Sequence, residues 1–230
     1  MVSETDLTQE EAWYKEKLAE RCLTAMKKHN IPGYYSPDRS QARTQILELI
    51  PPGVTIGAGD SITLAQVGVL AELEKRGSHQ MFTPFRKDGE DCVPSTIREL
   101  VETGKQALFT DVFLTGINAI TLDGKIINTD RIGNRAGGLV FGPKKVIAVV
   151  GSNKIVANLA EAMERVKQIA APMNAHRHQI KHGTDAPPCA ITGVCIDCNH
   201  PRRVCCYTVI VEHQSTPRIE LVIVGEELGI

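Results

Sequence analysis

The sequence predicts an α/β fold, a mostly parallel sheet with helices on both faces. Three observations lead there. Residues 146–150 (VIAVV) are apolar and β-branched throughout, as a strand buried on both faces requires. Longer stretches elsewhere repeat their apolar residues at helical spacing. Strands and helices alternate along the chain, the order that yields parallel pairing through crossover connections.

Residues 8–30 are expected to form a long helix, because Leu18, Cys22, Ala25, Met26 and His29 recur at helical spacing among Glu and Lys. Pro32 and Gly33 stop it. Tyr34 and Tyr35 begin a short strand, and 38–50 forms a second helix halted by Pro51, Pro52 and Gly53. Residues 54–57 are a strand running into a glycine turn, and 61–76 a helix. The polar stretch 77–95, with Pro84 and Pro94, is expected to be a loop, and 95–107 a helix with Ser95 as its N-cap. A buried strand follows at 111–115. Residues 119–122 and 125–128 flank Asp123-Gly124, a hairpin signal. Beyond strand 146–150, Leu159, Ala162, Met163, Val166 and Ile169 mark a helix over 158–170 that Pro172 ends. Residues 209–211 and 221–224 are two closing strands. There is no internal repeat and no low-complexity tract. Residues 1–230 therefore form a single domain, with a Cys-rich segment at 183–206 inserted before the closing strands.

Composition narrows the function. A formal net charge of -1 gives no case for nucleic-acid or anionic-membrane binding. Aromatic residues at 4% argue against base stacking. No apolar run is long enough for a membrane helix, and the acidic start shows no signal peptide. A cytoplasmic protein is expected, and in that compartment seven cysteines do not suggest a disulfide framework.

Five of the seven cysteines lie between Cys189 and Cys206. Cys189, Cys195, Cys198 and Cys205 are expected to form one metal site. A Cys-x2-Cys pair puts two thiolates on one turn, and Gly193 lets Cys189 curl towards them. Pro187, Pro188 and Pro201 stiffen the loop, while Arg202 and Arg203 would offset thiolate charge. Zinc accepts four thiolates in a tetrahedron, and iron–sulfur clusters also take four cysteines. Zinc sites usually come as two separated pairs; one pair with outlying cysteines leans towards an iron–sulfur cluster of 4Fe–4S type, with zinc the alternative. Cys206 reads as the first buried residue of the following strand, Cys22 as a core residue and Cys92 as a loop residue. His176, His178 and His182 read as part of a solvated basic stretch with Arg177 and Lys181 in preference to a second metal or anion site.

Gly57, Gly59, Ser61 and Thr63 follow a strand and open a helix, an arrangement suited to phosphate, carboxylate or an acyl group. The alternative is a tight turn capped by Asp60 or Ser61. Residues 114–118 end a buried strand, where ligands of open α/β sheets collect. Asn118, Asn128, Arg131 and Asn134 are the pocket residues expected from the polar run that follows. Gly133, Gly137 and Gly138 would allow close packing of a helix there.

The blocks GAGDSITLAQVG, DVFLTGINAITLDGKIINTDRIGNR, FGPKKVIAVVGSNKIV, AAPMNAHRH and PCAITGVCIDCNHPRRVC resemble the stand-alone LUD-domain proteins, commonly labelled lactate-utilisation proteins. The resemblance runs over nearly the whole chain. Asp60 stands where that family has a small residue, and His176 where it has Lys. The resemblance implies a fold like that of the sugar-phosphate isomerases and CoA transferases, and an association with L-lactate oxidation. The expectation is a redox component (an oxidoreductase subunit) of 2-hydroxy-acid metabolism, with electrons passed by the cluster to a partner protein and a small anionic substrate held near the glycine loop. Two rivals stand beside it. One is a non-redox enzyme using an open iron as Lewis acid. The other is a cluster or zinc that only staples the segment. Symmetry makes a homodimer the default assembly.

Overall fold

The apolar runs become parallel strands. The computed structural model describes residues 5–83, 97–183 and 185–230. In chain order its strands are β1 (Gly33–Ser36), β2 (Ile56–Ala58), β3 (Met81–Phe82), β4 (Val112–Gly116), β5 (Ala119–Thr121), β6 (Ile126–Asp130), β7 (Lys145–Gly151), β8 (Ile155–Val156), β9 (Tyr207–Val211) and β10 (Ile219–Val224). The helices are α1 (Thr8–Lys28), α2 (Arg39–Leu49), α3 (Ile62–Val67), α4 (Val69–Arg76), α5 (Ile97–Leu108), α6 (Asn134–Val140), α7 (Leu159–Arg165), α8 (Ala171–His182) and the short α9 (Cys189–Thr192). Of the loop expected over 77–95, Met81 and Phe82 instead pair with β2 as the edge strand β3, while Pro84, Cys92, Pro94 and the Ser95 cap lie outside the described residues.

The main sheet has the order β1-β10-β7-β4-β2-β3 and is parallel at every pairing. Ile147 and Val149 point to one face, where Ala42, Ile46, Leu64, Val67 and Leu73 of α2, α3 and α4 cover them. Val146, Ala148 and Val150 point to the other, against Ala19, Cys22 and Met26 of α1. Both faces are dry, so the strand reads as an unbroken apolar run.

A second sheet, β8-β5-β6-β9, was not anticipated. The hairpin β5–β6 forms as expected, but β9 pairs antiparallel with β6 and does not close the main sheet. Its side chains explain this. Tyr207 and Ile210 of β9 are exposed, whereas Leu221, Val222, Ile223 and Val224 of β10 are fully buried. Only β10 suits the slot beside β7 that is covered on both faces.

Two helix boundaries differ from expectation. Residues 61–76 make two helices, because Gly68 adopts φ 76 and caps α3. That left-handed turn is open to glycine at little steric cost. Pro172 does not end a helix; it sits in the first turn of α8. Residues 166–170 form a π turn in which Ala171 N–H reaches Val166 O, and this wider turn carries the chain past the proline. Proline has no N–H to donate to the preceding turn, and the wider turn lies directly before the place where that bond is missing.

Asp111 ties the entrances of β2 and β4. Its carboxylate accepts from Thr55 N (3.0 Å) and Thr55 Oγ1 (2.8 Å), and pairs with Lys144 Nζ at 2.8 Å. The Lys144 bond, then those from Thr55, hold the carboxyl well below the usual carboxylate range. A depressed value stabilises the fold above the ordinary pKa and ceases to do so as pH falls through the folded one. Asp111→Asn should therefore lower the melting temperature at neutral pH. The gap to wild type should narrow once pH drops below about 4. Thermal unfolding over a pH series checks this; an equal gap at every pH would show that the charge is not its source.

Candidate functional site

The carboxyl ends of β2, β4 and β7 open into a cleft of about 160 Å³. Asp60 and Ser61 follow β2, Ile117 and Asn118 follow β4, and Lys154 follows β7. Asp130 and Arg131 at the end of β6, Arg135 on α6 and one face of α8 form the opposite wall. This is where open parallel sheets gather ligands.

Of the residues expected from sequence, Ser61, Thr63, Asn118, Arg131 and Asn134 line the cleft. Ser61 also caps α3, its Oγ accepting from Leu64 N at 3.2 Å. Asn118 braces the hairpin: its Oδ1 accepts from Thr129 N at 2.7 Å. Gly57 and Gly59 have another role. A Cβ at Gly57 would lie 2.5 Å from Ala107 O, and one at Gly59 2.5 Å from Arg135 Cγ. The glycines thus admit α5 and the Arg135 stem. The expected helix behind the loop is also only the six residues of α3. Asn128 is fully buried outside the cleft, and both its amide atoms lack a hydrogen-bond partner among the described residues.

Sequence reasoning missed the inner cations. Lys154 is 3% exposed, and its Nζ donates to Thr63 Oγ1 (3.0 Å) and Ile117 O (3.2 Å). Burial, helped by Arg165 and Arg135, pushes its amine down to about 7. Arg135 Nη2 donates to Thr129 O at 2.7 Å, and Arg165 Nη1 to Asn118 O at 2.8 Å. Burial lowers both guanidinium pKa values, while Asp130 and Asp60 pull Arg135 back up. Asp130 accepts from Gly133 N (2.7 Å), Arg135 N (3.1 Å) and Ala136 N (2.9 Å), which makes it the anchor of α6. The available signal was position: Lys154 follows the most apolar strand within four residues of its end.

The cysteine segment adjoins this cleft. Cys189, Cys195, Cys198 and Cys205 line one small cavity, and Cys205 also lines the cleft. Cys189 opens α9, and Gly193 (φ 74) turns the chain back after it. Arg203 braces the loop: its Nη1 donates to Cys198 O (2.6 Å), its Nε to Cys205 O (2.9 Å) and its Nη2 to Asp197 Oδ1 (2.8 Å). Burial, then the neighbouring Cys198, Cys205 and Cys195, pushes the Cys189 thiol up. Among the described residues, no group of three or more His, Cys, Asp or Glu is placed to hold a metal ion. The four cysteines come from separate points of the loop and border the same small cavity.

Other residues of the segment fall out as follows. Cys206 is exposed and precedes β9, correcting the expectation of a buried strand residue; its N–H instead bonds Asp130 O at 3.0 Å. Cys22 is a core residue as expected, its thiol pushed up to about 12 by burial. His176, His178 and His182 belong to α8. Arg177 and His178 line the cleft, while His176 is exposed. Among the described residues no helix is long and apolar enough to cross a membrane.

The LUD domain family profile matches residues 19–224. A DUF162 family protein from Deinococcus radiodurans, of known crystal structure, is similar at a TM-score of 0.51 and 15% identity, covering 91% of this chain and 97% of that one. Ribose 5-phosphate isomerase A from Methanocaldococcus jannaschii aligns at a TM-score of 0.40 and 15% identity over 81% of this chain and 93% of its own. The first likeness shows a shared fold, and the second is too slight to add to it. No curated protein matches the sequence.

Proposed function

The chain belongs to the LUD domain family, and on that premise we propose that it is an iron–sulfur protein serving as a redox component of lactate or similar 2-hydroxy-acid metabolism. Cys189, Cys195, Cys198 and Cys205 would hold the cluster, of 4Fe–4S type. When bound, the cluster supplies a one-electron carrier. The observation that supports this reading is the shared wall: Cys205 borders both the four-thiol cavity and the cleft.

The chain's own residues fit this division of labour. Arg203 holds the carbonyls of Cys198 and Cys205, fixing the loop from which both thiols project. Ala171, Ala175, Ala190 and Val204 pack beneath Cys189 and keep water from that side. Ser61, Thr63, Asn118, Arg131 and Asn134 offer hydroxyl, amide and guanidinium groups to an anionic substrate. Ile191, Val194 and Ile196 are exposed on the cysteine loop, an apolar surface on which an electron-transfer partner could rest.

Anaerobic purification followed by iron, zinc and sulfide analysis with a visible spectrum tests the proposal. About four irons and four sulfides per chain are expected, with broad brown absorbance lost in Cys198→Ala and kept in Cys206→Ser. One zinc per chain without sulfide would sink the redox reading and leave a zinc-stapled ligand-binding protein.

A further inference from the structure

We propose that Lys154 Nζ and Thr63 Oγ1 form an oxyanion subsite at the inner end of the cleft, taking the carboxylate or phosphate group of a small acid. This deepens the ligand half of the proposed function and does not depend on the cluster.

The first ground is an unfilled valence. A protonated amine carries three donors. Lys154 uses two, on Thr63 Oγ1 and Ile117 O, and no carboxylate pairs with it among the described residues. The second is the surrounding charge. Arg165 from α7 and Arg135 from α6 stand close enough to disfavour its charge. Arg131 and Arg177 also line the cleft, with His178 and Cys205. Among the described residues, Asp60 and Asp130 are the acidic side chains lining the cleft, and Ile230 borders it as well. Asp130 is engaged by three backbone N–H groups, and Asp60 lies at the mouth, exposed. The third is the approach. A Cβ at Gly229 would press on Thr63 Oγ1 and come within 2.7 Å of Lys154 Nζ. Glycine there keeps a side chain out of the space beside the pair, which is otherwise buried.

A buried cation without a counterion is costly. Two states relieve the cost: the amine gives up its proton, or an anion arrives. Burial already favours the first, with the amine near 7. An oxyanion bound at Nζ favours the second, and its arrival draws a proton from solvent onto Lys154. Ligand binding above neutral pH therefore takes up protons, and affinity falls by about tenfold per pH unit there.

Calorimetric titration of the full chain with L-lactate, pyruvate and inorganic phosphate tests this, run at pH 6 and pH 8 in buffers of differing ionisation enthalpy. For lactate and pyruvate, whose carboxylates do not titrate in this range, near one proton taken up at pH 8 and near none at pH 6 is expected. Lys154→Met, which keeps the buried stem, should lose the proton uptake and weaken binding by about a hundredfold. Gly229→Ala should weaken binding with Lys154 intact. Lactate or pyruvate binding without proton uptake, undiminished binding in Lys154→Met, or no binding of any probe overturns the subsite. Binding of phosphate alone, weakened in Lys154→Met, keeps the subsite but overturns the 2-hydroxy-acid reading. Proton-linked binding of lactate by a chain that carries no iron overturns the cluster alone.

Discussion

Replacing Phe113 by Ala is expected to lower the unfolding free energy by about 3–5 kcal/mol. The ring is 1% exposed in the middle of β4 and forms the surface on which α6 rests. Contact is so close that a Cβ at Gly138 would lie 2.5 Å from Phe113 Cε1. Gly138→Ala should therefore destabilise by overpacking, by about 1–3 kcal/mol, although alanine is the better helix former. The pair should couple. Phe113→Leu with Gly138→Ala should be more stable than the two single effects predict, because the smaller side chain makes room for the methyl. Urea denaturation of the four proteins measures this. Strict additivity would show that the methyl is accommodated elsewhere. The effect reaches the cleft, since α6 carries Asn134 and Arg135.

If the proposed cluster is bound, stripping it should free the cysteine segment while the main sheet stays folded. The segment has little apolar material of its own. Its buried cluster comprises Ala171, Ala175, Cys189, Ala190 and Val204, while Ile191, Val194 and Ile196 face outward. Ordering such a loop costs backbone and side-chain entropy that a few small contacts do not offset, and the proposed metal, binding only the folded loop, would make up the difference. Amide exchange over 189–206 should accelerate by about a hundredfold or more after chelation, or in Cys198→Ala, with β7 and β10 unchanged. Equal protection with and without metal would mean that Arg203 and the alanine contacts suffice.

What the sequence made legible follows from how local each signal is. The buried strands, the Asp123-Gly124 hairpin and the Asp38 to Ile50 helix are written in neighbouring residues, and Asp38 caps that helix through Ser40 N and Gln41 N. The four cysteines carry their own spacing, and all four line one small cavity. The second sheet was not legible because β6 and β9 lie far apart in the chain and pair only after folding. Lys154 was missed for a similar reason. Nothing beside it marks a buried amine; its surroundings come from Thr63, Arg135 and Arg165 on three separate elements. Gly57 and Gly59 misled in the opposite direction, since a packing glycine and a ligand-binding glycine look the same in sequence.

The π turn between α7 and α8 acts as a phase adjuster. Before it, Ala162 packs beneath the second sheet; after it, Ala171 and Ala175 meet the cysteine loop while Asn174 and Arg177 turn to the cleft. A regular helix advances about 100° per residue, and its pitch would fix the second set of directions once the first was chosen. One surplus residue in 166–170 uncouples them. The same rod thereby serves as buttress for one sheet and as a partition between the thiols and the cleft, and a single-residue deletion there would keep the rod while turning its far half out of register.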